Sequence, residues 1–210
     1  MSLFGSDSDS SDPDRRDETR KEEPIGLYHF HNMIPLDLQT ELTLALSTSV
    51  FTSSTNQSML FCSPNTSFAP SFMTPLLDIL PQLLLDKLPS EIYDMLFKGT
   101  RARQAIFNLY RVGEGITPHT DLVTRFADGI IGCSLLATCI MDFTRQGHSP
   151  YSIVLRKGDV YVLSKEARYD WMHGIAARDE DVIDGMTRKR KLRMSITLRT
   201  MKEGGDILGV

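Results

Sequence analysis

The pattern of apolar positions changes near residue 103. Before that point, leucines recur at roughly helical spacing after Pro35 (Leu36, Leu38, Leu42, Leu44 and Leu46), which predicts a helix. Ser90 is of the residue type that begins helices, and it predicts a second, short helix through Phe97. The Ser-, Thr-, Asn- and Pro-rich stretch 52–71 lies between the two and predicts a loop.

From Arg103 onward the apolar positions alternate with period two. Segments rich in β-branched, aromatic and leucine residues predict strands over 103–110, 130–141, 151–156, 159–164, 168–175 and 192–200. Turn signals such as Arg156-Lys157-Gly158-Asp159 separate them. Six strands at this spacing favour a sandwich or barrel, with the helices of the first part packed on it, so the predicted class is α+β and mainly β.

The composition indicates one folded domain. The chain has 210 residues, of which 41% are hydrophobic and 24% charged, as in soluble globular proteins. Residues 1–23 hold eight acids and four bases and contain a Ser-Asp repeat, which predicts a disordered acidic tail. The predicted domain is therefore 24–210, with helical support in 24–102 and a β core in 103–200.

Charge and cysteine content add three expectations. The longest uncharged apolar run has 13 residues, Gly129 to Met141, which is shorter than the roughly 20 that cross a bilayer, so we expect no membrane span. Three cysteines without metal-type spacing favour a reducing compartment, the nucleus or the cytoplasm. Residues 24–97 contain six acids and one base, whereas 98–210 contain eighteen bases and thirteen acids, so an anionic ligand should bind the second part.

Candidate chemistry begins at the strand that ends at Tyr110, where Asn108 and Tyr110 share one face. His119 and Asp121 follow, and in an extended stretch their side chains point the same way. With His173 they provide two histidines and one carboxylate, the facial triad of non-haem Fe(II) oxygenases. A His-x-Asp pair alone is a weak signal and is more typical of a surface turn with a solvated histidine, so the context matters.

The last predicted strand supplies that context. Four polar residues fall on one face (Arg193, Ser195, Thr197 and Arg199), opposite Met194, Ile196 and Leu198. Two arginines on an inner face are costly without an anion beside them. A dicarboxylate would pair with both, and internal acids such as Asp121 or Asp159 are the alternative partners.

These residues resemble the AlkB-like branch of the Fe(II)- and 2-oxoglutarate-dependent dioxygenases. The resemblance rests on several ordered motifs between about residues 25 and 200: Asn108-x-Tyr110-x-x-Gly113-x-Gly115-Ile116-x-x-His119-x-Asp121, Ile131-Gly132-Cys133-Ser134-Leu135, Leu155-x-x-Gly158-Asp159-Val160, Glu166-Ala167-Arg168-Tyr169-x-Trp171-x-His173-Gly174-Ile175 and Arg193-x-Ser195-x-x-x-Arg199. It implies a double-stranded β-helix, or jelly-roll, barrel.

The resemblance also implies a role for each matching residue. His119, Asp121 and His173 would ligate Fe(II), and Arg193 would hold the distal carboxylate of the cosubstrate 2-oxoglutarate. Asn108 and Tyr110 would orient that cosubstrate. Arg199 would lie near its keto-acid end or stabilise Asp121, and Ser195 stands where some family members have asparagine. The third reactant is O2, and the cosubstrate would leave as succinate and carbon dioxide.

For the substrate, the resemblance implies oxidative demethylation of an N-alkylated nucleobase in DNA or RNA, and we expect the enzyme to be a monomer. A protein such as a histone, or a small molecule, is the alternative, and a catalytically silent binding module is a second one. We expect substrate contacts from Lys165 and Arg168. Tyr169 and Trp171 share the predicted strand face of His173, so either could stack on a base, and core packing is the alternative for the single tryptophan. The run Arg188-Lys189-Arg190-Lys191 indicates a nuclear-import signal or phosphate contacts, with a solvated loop as the alternative.

Overall fold

A computed structural model describes residues 22–64, 66 and 71–203. The predicted acidic tail lies outside the described residues except for its last two positions. No helix in the described part of the chain is long and apolar enough to span a membrane.

Twelve strands make up the β part of the described chain. Six of them form one sheet in the order β1-β8-β5-β12-β3-β2, four form a second sheet in the order β4-β9-β6-β7, and β10 and β11 pair as a separate hairpin. The bounds are β1 Leu27–Phe30, β2 Gln57–Cys62, β3 Arg103–Tyr110, β4 Ile116–His119, β5 Phe126–Leu135, β6 Cys139–Thr144, β7 Tyr151–Leu155, β8 Val160–Leu163, β9 Met172–Ile175, β10 Glu180–Ile183, β11 Met186–Lys189 and β12 Arg193–Met201.

The helices support the six-stranded sheet from outside. They are α1 Leu36–Ala45, α2 Thr74–Leu84, α3 Ser90–Phe97 and α4 Lys165–Tyr169, and a π-helical turn, Leu46–Val50, extends α1. Leu76, Leu80 and Leu84 of α2 recur every four residues and are buried, with Phe107 and Ile196 of the sheet in the same hydrophobic cluster. The helices predicted at Leu36 and at 90–97 are confirmed. Sequence reasoning missed α2, which continues through Pro81.

Two strand predictions are wrong in part. The predicted strand 130–141 is two strands, because the chain turns at Leu136, whose φ is 67°. The first two residues of the predicted strand 168–175 belong to α4, and only Met172–Ile175 forms a strand. The predicted loop 52–71 contains β2, a six-residue alternating segment hidden among Ser, Thr and Asn residues.

Two hydrophobic clusters hold the helices and the two sheets together. The odd positions Phe107 and Leu109 of β3 face the helices, together with Met194 and Ile196 of β12. A second cluster, which includes Phe143, Leu155 and Trp171, links the four-stranded sheet to β5, β8 and α4. The polar faces of β3 and β12 therefore point toward the space between the two sheets.

Candidate functional site

A cavity of about 270 Å³ lies between the inner faces of the sheets. Residues from both sheets line it, including two from the edge strand β2. The lining residues are Gln57, Met59, Ile106, Asn108, Tyr110, Ile116, His119, Ile130, Met141, Tyr161, Leu163, His173, Ile175, Arg193, Ser195, Thr197 and Arg199. The four polar residues predicted for one face of β12 are all among them, because alternate residues of a strand share a face. The inward faces predicted for β3 and β12 are therefore confirmed.

The structure brings His119, Asp121 and His173 together beside this cavity. In the β4–β9 ladder, His119 is the direct partner of His173, and their ring centroids are 4.5 Å apart. Asp121 is the second residue after the end of β4, and its Oδ2 lies 3.7 Å from Nε2 of His173. One potential ligand atom of each residue lies within 4.8 Å of the others. The three side chains are thus arranged to share one metal ion.

The ring nitrogens of both histidines suit metal binding. Nδ1 of His119 is 2.9 Å from the carbonyl oxygen of Thr117, which can only accept, so in the neutral ring Nδ1 carries the proton and Nε2 keeps its lone pair. Burial lowers the pKa of His173 to about 4, against the opposing pull of the Asp121 carboxylate. His173 is therefore neutral at pH 7, and an imidazole binds a metal in its neutral form.

Asp121 is a buried carboxylate that lacks hydrogen bonds. It is 4% exposed, and neither of its oxygens accepts a hydrogen bond from the described residues. Arg199 makes an ion pair with Oδ1 through Nη2, without the geometry of a hydrogen bond. Arg199 offsets part of the cost of burying this carboxylate at Oδ1, and a metal ion shared with the two imidazoles would complete the environment of Oδ2. Two imidazoles and one carboxylate suit Fe(II), so the residues present fit that ion.

Arg193 marks a second polar position in the cavity. Its side chain is 3% exposed, donates from Nη2 to Oγ of Ser134 at 3.3 Å, and stacks on Tyr110 at 5.2 Å. Its Nε and Nη1 have no hydrogen-bond partner among the described residues. A buried guanidinium with two unused donors in a cavity is suited to a carboxylate ligand.

The neighbours of Arg193 shape the same pocket. Burial raises the pKa of Tyr110, although the nearby Arg193 charge lowers it, so the phenol keeps its proton and can donate. Oδ1 of Asn108 accepts a hydrogen bond from Nε2 of Gln57 at 2.7 Å. Ser195 lies in the register position opposite Asn108 and is 5% exposed. These side chains give the cavity a polar end and fix its width.

Arg168 is predicted to contact the substrate, but the structure places it inside the protein. Only 1% of it is exposed. Its guanidinium donates to three backbone carbonyls of the segment after β4: to Asp121 at 2.9 Å, and to Leu122 and Phe126 at 3.4 Å each. Because a buried side chain cannot reach a polymer outside, Arg168 instead holds the backbone that carries Asp121.

The three other predicted substrate contacts lie away from the cavity wall. Trp171 is 1% exposed and packs in the second hydrophobic cluster, so the core-packing alternative is correct for it. Tyr169 lies at the end of α4, beneath the guanidinium of Arg168, and does not share a strand face with His173 because α4 is helical. Lys165, with φ of 50°, reaches Glu91 of α3.

Sequence reasoning missed the wall that β2 provides. Gln57 and Met59 line the cavity from this edge strand, which pairs with β3. The only signal was the alternation of Gln57, Met59 and Phe61 with Ser58, Leu60 and Cys62, a short run flanked by loop-forming residues.

The basic run belongs to β11 and the segment after it. Arg190 is buried and forms a two-pronged ion pair with Asp181. Arg188, Lys189 and Lys191 line a separate surface groove together with Lys157. This groove lies beyond the Arg193 end of β12, whereas Asp121 contacts Arg199 at the other end of that strand.

Comparison with known proteins decides the family. The family model described as "2OG-Fe(II) oxygenase superfamily" matches residues 26–199, nearly the whole described chain. The chain belongs to the 2OG-Fe(II) oxygenase superfamily. It is therefore a member of a class of oxidoreductases, the 2-oxoglutarate-dependent dioxygenases, whose cofactor and co-reactants are Fe(II), 2-oxoglutarate and O2.

Relatives within the superfamily point to the AlkB-like branch. The chain is 33% identical over 139 residues to "Uncharacterized protein L905" of Acanthamoeba polyphaga mimivirus, covering 65% of this chain and 66% of that protein. It is 35% identical over 115 residues to "tRNA (carboxymethyluridine(34)-5-O)-methyltransferase alkbh8" of Xenopus tropicalis, covering 47% of this chain and 18% of that protein. The chain thus spans less than two thirds of these relatives.

Solved structures confirm the superfamily's jelly-roll fold. A prolyl-4-hydroxylase of Pseudomonas putida aligns with a TM-score of 0.55 at 14% identity, over 84% of this chain and 93% of that one. A 2OG-Fe(II) oxygenase family oxidoreductase of Burkholderia pseudomallei aligns with a TM-score of 0.56 at 11% identity, over 85% of each chain. The predicted mainly β jelly-roll with packed helices is thus confirmed.

Proposed function

We propose that this chain is an AlkB-type dioxygenase that oxidatively demethylates an N-alkylated nucleobase in DNA or RNA. The observation that supports the chemistry best is the single cavity that joins the His119, Asp121 and His173 cluster to the unpaired donors of Arg193. A metal ligand set and a carboxylate-binding guanidinium on one cavity are the two parts that a 2-oxoglutarate-dependent oxidation requires.

In this proposal, His119, Asp121 and His173 hold Fe(II), and Arg168 keeps the Asp121 backbone in place. The bound metal supplies the oxidation of a substrate C–H bond, coupled to decarboxylation of 2-oxoglutarate with O2. Arg193 binds the far carboxylate of the cosubstrate through Nε and Nη1, and the Tyr110 hydroxyl donates to the same end. The buried walls exclude water from the reacting atoms.

The size of the cavity limits which form of a nucleic acid could react. A cavity of about 270 Å³ is far too small for a duplex. A base must therefore leave its stack before it reaches the metal. The apolar side chains of Met59, Ile106 and Ile116 offer contacts to such a ring. The tRNA enzyme named among the relatives supports testing RNA as well as DNA.

The lack of basic residues on the edge strand beside the cavity favours a second candidate. β2 carries no lysine or arginine, and Arg188, Lys189 and Lys191 line a separate groove. A protein or small-molecule substrate needs no such phosphate contacts.

A substrate screen separates these candidates. The purified chain is incubated with Fe(II), 2-oxoglutarate and O2 over N-methylated RNA and DNA oligonucleotides, methylated histone peptides, or no substrate, and both succinate and loss of the methyl group are measured. Unmethylated oligonucleotides and the variant His119→Ala are the controls. We expect succinate and formaldehyde in equal amounts with a methylated oligonucleotide. Turnover with peptides alone would favour the second candidate, and no succinate under any condition would favour a binding module.

Three expectations about the protein's surroundings stay predictions. We expect a monomer, which light scattering tests, and a nuclear or cytoplasmic location, which imaging of a tagged full chain tests. Phosphate contacts through Arg188, Lys189 and Lys191 predict nucleic-acid binding that weakens with salt.

A further inference from the structure

A second cluster of two histidines and one aspartate lies at the edge of the six-stranded sheet. His29 is in β1, His31 follows it in the turn after the strand, and Asp159 immediately precedes β8, the partner strand of β1. Nε2 of His29 and Nδ1 of His31 are each 3.0 Å from the same oxygen, Oδ2 of Asp159. None of the three side chains lines the central cavity.

Backbone groups hold the aspartate in place. Oδ1 of Asp159 accepts the amide N–H of Asn32 at 2.9 Å, and Oδ2 accepts that of Arg156 at 2.8 Å. The turn that carries it needs Gly158, whose φ is 81°. Asp159 is 1% exposed, whereas His31 keeps 58% of its side chain in contact with solvent. The carboxylate is therefore fixed and buried, and one side of the cluster is open to water.

Two imidazole nitrogens converge on an oxygen that already accepts an amide N–H. Because a lone pair facing that oxygen would be repelled, each imidazole has to present a proton there or share a cation with it. Ligand atoms about 2.1 Å from one shared ion stand about 3.0 Å apart across a right angle and about 3.4 Å apart across a tetrahedral angle. The observed separations need only small changes to accept an ion.

We propose that His29, His31 and Asp159 bind a divalent transition-metal ion of the Zn(II) type. Two imidazole nitrogens and one carboxylate oxygen are ligands of borderline softness, which favours Zn(II) or Co(II) over Ca(II) or Mg(II). Water completes the coordination on the open side of His31. Because none of the three ligands lines the central cavity, the ion is structural and joins β1 and its following turn to the barrel.

The stoichiometry of Co(II) binding tests this second site, with Co(II) as the spectroscopic probe. Full-length protein stripped with chelator is titrated with Co(II), and bound metal is counted by equilibrium dialysis and visible absorption. We expect two equivalents on the wild type, one on His31→Asn, one on His119→Ala and none on the double variant. His148→Asn is the matched control, since His148 lies outside both clusters and pairs with Glu22, and it should keep two.

The pattern separates this site from the proposed iron site. One equivalent on the wild type that disappears with His119→Ala would overturn the second site, as would two equivalents on His31→Asn. One equivalent that disappears only with His31→Asn would support it and count against the iron site. As an independent readout, Zn(II) should raise the melting temperature of His119→Ala, and the added substitution His31→Asn should abolish that rise.

Discussion

The protein places the same three residue types, two histidines and one aspartate, in two contrasting settings. In the inner cluster, Asp121 accepts no hydrogen bond and lies beside a cavity. In the outer cluster, Asp159 accepts hydrogen bonds from two backbone amides as well as both imidazoles, and none of the three residues lines the central cavity. Residue type alone therefore does not distinguish a catalytic site from a structural one. What distinguishes the two clusters is whether the carboxylate oxygens accept hydrogen bonds and whether the cluster lies beside the central cavity.

The largest expected effect is the loss of catalytic activity when the inner cluster is changed. His119→Ala should reduce succinate formation to the level without enzyme, because the metal loses one of three ligands that face the cavity. His148→Asn, a histidine of neither cluster, should retain wild-type turnover. Succinate is quantified by mass spectrometry at saturating Fe(II) and 2-oxoglutarate. Turnover in His119→Ala near the wild-type rate would place the reactive metal elsewhere.

Arg193→Lys tests the polar end of the inner cavity. Lysine keeps the charge but cannot present two coplanar donors, so we expect affinity for 2-oxoglutarate to fall about 30-fold, or about 2 kcal/mol, while Fe(II) affinity changes little. Calorimetric titration of each ligand, performed without O2, measures both. The opposite pattern, with iron binding lost and 2-oxoglutarate binding kept, would contradict the assignment of Arg193.

Arg168→Lys tests whether the inner carboxylate depends on its backbone support. One ammonium cannot replace the guanidinium's bonds to the carbonyls of Asp121, Leu122 and Phe126. By analogy with groups that orient metal ligands, we expect Fe(II) affinity to fall about 10- to 100-fold. Arg188→Lys, on the exposed surface of β11, is the control. A lower melting temperature with unchanged Fe(II) affinity would show that Arg168 serves folding alone.

A smaller effect should appear in the outer cluster as a dependence of stability on pH. Burial raises the pKa of Asp159, but hydrogen bonds from His29, the Arg156 and Asn32 amides and His31 outweigh it and hold the pKa at about 2, below the ordinary 3.8. The stability gained is therefore complete above about pH 4 and is lost as the pH falls toward 2. Urea unfolding of wild type and Asp159→Asn, in chelator, should show the difference in unfolding free energy shrinking over this range. A difference in unfolding free energy that does not change with pH would argue against the lowered pKa of Asp159.

The sequence predicted the inner site better than its surroundings. Alternation along β3 and β12 correctly placed Asn108, Tyr110, Arg193 and Arg199 inward, because a two-residue period depends only on the strand itself. Tyr169 was misplaced because a five-residue helix interrupts a segment that alternates like a strand.

Contacts between distant segments explain the other differences. Arg168 binds the backbone carbonyl of Asp121, and Gln57 binds the side-chain amide of Asn108. Both partners are distant in the sequence. No local pattern reveals such partners. The outer cluster was likewise hidden, since His29 and Asp159 are 130 positions apart and meet only because β1 pairs with β8.

The central claim is that the inner cluster binds Fe(II) and that the adjoining cavity binds 2-oxoglutarate. The most direct test adds Fe(II) and 2-oxoglutarate to the chelator-treated protein under anaerobic conditions and records the visible spectrum. We predict a weak metal-to-ligand charge-transfer band that is absent in His119→Ala and present in His148→Asn. A band of equal strength in His119→Ala, or one that requires His31 instead, would contradict the claim.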